Sequence, residues 1–111
     1  MDYQQYIKPI IELLAKTESR RETWENMERF FGKGGHVEHD RLRELCHDGL
    51  TFTLDIIQEY FDAGALILRG KMAEAKEKLS FIQSLEAGEE ELKPYIEAEL
   101  RPNDANGKEM R

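Results

Sequence analysis

The sequence predicts an all-α fold: an antiparallel helical bundle of three long helices plus a short C-terminal helix, built around a long central helix. Three observations carry this expectation. Proline occurs only at Pro9, Pro94 and Pro102, so the interior from Ile10 to Lys93 is free of the strongest helix breaker. Apolar residues recur at three- and four-residue spacing through most of that interior. No alternating run of β-branched and polar residues is long enough to read as a strand.

The N-terminal region is read as helical from Ile7, Ile10, Leu14, Trp24, Met27 and Phe31, which recur at helical spacing. The stretch from Ala15 to Thr23 is almost without apolar content, and Ser19 followed by Glu22 matches a capping box that starts a helix. A break near Thr17 to Ser19 and an unbroken helix are both open at this point. Gly32-Lys33-Gly34-Gly35 then reads as a connector. It holds glycines and a lysine but follows a helix and lacks the spacing of a phosphate-binding loop.

The central helix is expected from about His39 to about Arg69. At 100° per residue, His39, Cys46, Leu50, Thr53, Leu54, Ile57, Phe61, Gly64 and Leu68 share one face. A second stripe of Leu42, Leu45, Phe52, Ile56, Ala63 and Ile67 lies beside it, so the apolar arc covers about 200°, twice that of a one-sided surface helix. The phase does not slip across Asp48-Gly49 or Gly64, which argues for one element about 45 Å long at a rise of 1.5 Å per residue. Gly64 is expected to admit a close neighbour; Gly49 has no packing reason in the sequence.

Gly70 is placed to end this helix as a left-handed cap. A third helix follows from about Lys71 to Ala87, with Met72, Ala75, Leu79, Ile82 and Leu85 on one face. Folding about Gly70 would set Gly64 opposite Ala75, Phe61 opposite Leu79, Ile57 opposite Ile82 and Leu54 opposite Leu85. Folding about the first connector would bring Phe31 near His39, Met27 near Leu42 and Trp24 near Cys46. Beyond Gly88, the run Glu89-Glu90-Glu91 suits a helix start, and Leu92, Tyr95, Ile96 and Leu100 give a short fourth helix. Residues 1–101 are assigned to a single bundle domain and residues 102–111, which are polar and aperiodic, to a disordered tail.

Charge limits the function classes. With 16 basic and 23 acidic residues among 111, the formal net charge is −7. A nucleic-acid backbone or an anionic membrane surface attracts basic faces, so neither is expected as a partner. The basic clusters Arg20-Arg21 and Arg41/Arg43 sit among glutamates at helical spacing and read as surface ion pairs. No run reaches the roughly 20 apolar residues of a membrane span. One cysteine cannot form an internal disulfide, and the chain is assigned to the cytoplasm.

Reactive side chains concentrate once. His36, His39, Cys46 and His47 include every histidine and the sole cysteine, and imidazole and thiolate are ligands for zinc or copper. Against a metal site, His39 and Cys46 are about 10 Å apart along the axis and His47 is turned about 100° from Cys46. The competing reading makes Cys46 a small core residue and the histidines solvated. The acidic strip Asp48, Asp55, Glu59 and Asp62 reads as solvated surface.

The expected function is therefore a non-enzymatic helical protein–protein interaction module, an adaptor, regulator or chaperone-like factor, without a cofactor and forming a homodimer. Its expected interface is Leu45, Phe52 and Ile56 of the second stripe with Phe30 and Phe81, which fall off the pairable seams. The alternative is a small helical metal- or ligand-binding sensor using His36, His39, Cys46 and His47.

Overall fold

The computed structural model describes residues 4–101. They form α1 (Gln4–Phe31), α2 (Asp40–Leu68), α3 (Met72–Glu90) and α4 (Leu92–Leu100), with no strand among the described residues. The expected tail lies outside the described residues.

Helix α1 is continuous through the ambiguous stretch. Its buried residues, Ile10, Thr17, Trp24 and Phe31, recur every seventh position, so only Thr17 of the polar segment has to enter the core. Thr17 is fully buried and donates its hydroxyl to the Leu13 carbonyl at 2.8 Å, which satisfies it within the helix. Other polar residues of that segment, such as Glu18 and Ser19, stay exposed, and the Ser19/Glu22 capping box is not used. Pro9 stands in the second turn of α1 and removes one amide donor there.

The connector is closed by the Val37 amide donating to the Phe30 carbonyl and the His39 amide donating to that of Phe31. His39 caps α2: its backbone is extended, and its Nδ1 accepts from the Leu42 amide at 3.2 Å. At the other end, Gly70 has φ 78°, and the Gly70 and Lys71 amides donate back to Ile67 and Leu66. This left-handed cap stops α2 within a residue of the expected position. The third helix runs past its expected end at Ala87, through Gly88, to Glu90. Gly88 lies against the Phe52 ring, where a Cβ would crowd Cε1 and Cζ, so this glycine makes room for an aromatic and does not end the helix.

Helix α2 is the hub. Helices α1, α3 and α4 each pack on it, and among the described residues no Cα of α1 comes within 8 Å of α3 or α4. The result is an elongated layer of 65 × 26 × 17 Å. Facing residues run in opposite order on neighbouring helices: Lys78 reaches Glu59, while Gly88 lies against Phe52. Similarly, Glu28 reaches His47, and Gly32 lies against the Arg43 side chain.

Two cores lie along α2. One holds Ile10, Ile56, Tyr60, Ala63, Ile67, Ala75 and Ile82; the other holds Trp24, Phe31, Leu42, Leu45, Cys46 and Ile96. Helix α3 therefore covers the C-terminal half of α2, and α4 covers the N-terminal half that α3 does not reach. This corrects the expected facing surfaces. Leu54, Phe61 and Leu68, read as core seam, are exposed, whereas Leu42, Leu45, Ile56, Ala63 and Ile67 of the second stripe are buried together with Cys46 and Thr53 of the first face. The expected pairs Phe61 with Leu79 and Leu54 with Leu85 are not core contacts, and a Cβ at Gly64 would meet nothing within 4 Å. With neighbours on both sides of a 200° arc, the core lies between them and one edge of the arc is left open.

Gly49 gains the reason the sequence lacked. A Cβ at this position would collide with Cδ2, Cε2 and Cε3 of Trp24, so the indole lies flat against the bare α2 backbone.

Candidate functional site

The structure disperses the histidines and cysteine. His36 packs its ring against Phe30, with centroids 5.2 Å apart. The Nδ1 of His39 is occupied as a helix cap, and its Nε2 lies 3.9 Å from the Glu99 carboxylate of α4. His47 is exposed and pairs with Glu28 at 2.9 Å. Among the described residues no group of three or more His, Cys, Asp or Glu side chains is placed to hold a metal ion.

Cys46 is free and fully buried, and burial, with Glu28 adding to it, pushes its thiol up to about 11. The thiolate is the reacting form, so native Cys46 is expected to react with an aromatic disulfide reagent at least about 100-fold more slowly than in the denatured chain. Equal rates in the two states would show that the α1–α2–α4 core is open.

The five residues expected at an interface divide. Leu45 and Ile56 are buried by the chain's own helices, with Ile96 of α4 and Ile82 of α3 among the residues of their respective cores, so neither is open to a partner. Phe52 is half-buried against Gly88. Phe30 and Phe81 are exposed. The second cover of α2 is thus supplied within the chain.

A polar clamp crosses between α1 and α3, whose backbones stay apart. Glu89 is 6% exposed, and its carboxylate accepts from the Trp24 indole N–H at 2.8 Å and from Arg20 Nε at 3.0 Å. Arg20 also lies 3.8 Å from Glu86, which accepts from the Tyr60 hydroxyl at 3.4 Å. Burial, followed by the Glu86 charge, pushes the Tyr60 phenol up to about 12. Beside the clamp, Trp24, Met27, Ile96, Arg20 and Lys93 line an open cleft of about 420 Å³. Its two basic walls already carry counter-charges: Arg20 pairs with Glu89 at 3.0 Å, and Lys93 with Glu90 at 2.8 Å.

The clearest unassigned surface is on α2. Leu54, Phe61 and Leu68 are 50%, 60% and 63% exposed. Seven-residue spacing puts them in one line along about 21 Å of helix. Gly64 lies one turn beyond Phe61 with open space above it, and Ala65 follows. Elsewhere the same helix is tightly packed, so this line is not a product of loose folding. Sequence reasoning found these residues but placed them inside; only the location of α1 and α3 shows that they face out. Among the described residues, no helix is long and apolar enough to cross a membrane.

Compared with protein-family models, curated proteins and solved structures, the chain matches none of them. The functional reading therefore stands on the geometry of this surface.

Proposed function

We propose that this chain is a non-enzymatic helical protein-interaction module that docks through the Leu54, Phe61 and Leu68 line of α2, with self-association into a homodimer as its first use. The observation that carries the reading is the exposure of three aligned large apolar side chains on an otherwise well-packed helix. A surface of this kind stays in water at a cost that docking removes, and a two-fold dimer is the commonest way to remove it. An adaptor, regulator or chaperone-like role fits such a module. A buried, free thiol and an acidic surface fit a reducing cytoplasmic setting.

Light scattering coupled to size-exclusion chromatography tests the reading. Wild-type protein is expected to elute as a dimer at micromolar concentration. Phe61→Asp is expected to raise the dissociation constant at least about 100-fold, since a central aromatic is lost from both copies. At a concentration where both chains are monomeric, its melting and helical content should stay close to wild type, because Phe61 contributes little to the chain's own core. Wild-type protein that is monomeric at high micromolar concentration, or a Phe61→Asp variant that dimerises equally well, overturns the reading.

A further inference from the structure

We infer that the Leu54, Phe61 and Leu68 line binds the same line of a second copy in antiparallel alignment, with the two Phe61 side chains facing each other across a two-fold axis. This rests on the reading of that line as a docking face and adds its partner and register.

The line is self-complementary in reverse. Phe61 is its midpoint, so turning one copy end for end sets Leu54 against the other copy's Leu68 at both ends and leaves Phe61 opposite itself. Such an arrangement uses one patch twice and closes without leaving a free half-site. Gly64 fits the same register. It is a weak point in α2 that no contact of its own chain offsets, since a Cβ there would touch nothing within 4 Å. In the antiparallel pair the second copy's Phe61 ring lies over this turn, where a bare backbone and the small Ala65 leave room for it.

Charge selects the direction. Asp55, Asp62 and Arg69 follow the three apolar residues by one position each and form a charged edge beside the line. Under the two-fold axis, like edges meet in reverse order, and Arg69 comes within about 3 Å along the axis of Asp55 of the second copy. Among the described residues, neither Asp55 nor Arg69 has an ion-pair partner in its own chain. Asp62, near the axis, has its own counter-charge in Lys78 at 3.8 Å. A parallel two-fold pairing would instead carry the two charged edges to opposite flanks of the seam, where Asp55 and Arg69 would gain no partner from each other.

Single cysteines in the full chain test the register, and buried Cys46 does not interfere. Helices about 8–10 Å apart, less two backbone radii of about 2.3 Å, leave facing Cα atoms about 3.4–5.4 Å apart, which reaches disulfide range at the wider spacings. Under oxidised glutathione, and at a protein concentration where light scattering shows each variant to be dimeric, Phe61→Cys is expected to form a cross-linked dimer at least about tenfold faster than Leu54→Cys or Leu68→Cys alone, whose thiols lie about 21 Å apart. An equimolar mixture of Leu54→Cys and Leu68→Cys chains should cross-link to each other. Self-cross-linking at 54 and 68 equal to that at 61 overturns the antiparallel register but keeps the docking face. A wild-type dimer with no cross-link at any of the three positions overturns both the register and the face. As an independent check, Arg69→Asp should weaken dimerisation, and adding Asp55→Arg should restore it; no restoration overturns the charge pairing that sets the direction.

Discussion

Gly49→Ala is expected to destabilise the protein by about 2–3 kcal/mol, although alanine is the better helix former. The added methyl would enter the space occupied by the Trp24 indole, touching three of its ring atoms. The ring has no easy retreat. It is 7% exposed, and its N–H is fastened to Glu89, so moving it breaks a buried hydrogen bond as well as its packing. Gly64→Ala, fifteen residues along the same helix, should do the opposite. Nothing stands within 4 Å of its Cβ position, so the monomer should gain up to about 1 kcal/mol from helix propensity alone. Thermal unfolding followed by circular dichroism, at a concentration where the chain is monomeric, compares the two. Stabilisation by both substitutions would show that the indole does not lie against the α2 backbone.

Removing the Glu89 carboxylate should have an effect of similar size. Glu89→Ala strands the Trp24 indole N–H in the core and deprives Arg20 of its main partner, with an expected loss of about 2–3 kcal/mol. The Arg20 side chain is more than a third exposed and can turn to water, whereas the indole cannot, which keeps the figure below the range for a fully buried pair. The clamp also ties α1 to α3 through side chains, across a gap that their backbones do not close. A double-mutant cycle of Trp24→Phe with Glu89→Ala, followed by urea unfolding, should return a coupling of about 1–2 kcal/mol. Additive effects would mean that the hydrogen bond contributes nothing beyond the packing of each residue.

The sequence was most legible where local chemistry decides the outcome. The limits of α2 follow from a cap at His39 and a left-handed glycine at Gly70, both within a few residues of the ends they define. What it hid depends on neighbours distant in sequence. Gly49 is explained only by Trp24, and Gly88 only by Phe52. The face of α2 was misread for a related reason. Periodicity finds the middle of an apolar arc when a helix has one neighbour, but α2 has three, and its core direction is set by where they sit. Leu54, Phe61 and Leu68 have the same spacing as a core seam, so their outward position cannot be read from spacing. His36, His39, Cys46 and His47 are the reverse case: residues close in the chain are sent by helix geometry to a ring stack, a cap, a core and a surface ion pair.

The Trp24–Glu89 contact also makes the chain its own optical gauge. Trp24 is the only tryptophan, so all indole fluorescence comes from a point where α1 and α3 are tied by a hydrogen bond. Its emission wavelength reports whether that indole is dry and bonded to a carboxylate or wetted by solvent. Separation of α1 from α3 can therefore be followed, apart from loss of helix, without attaching a dye.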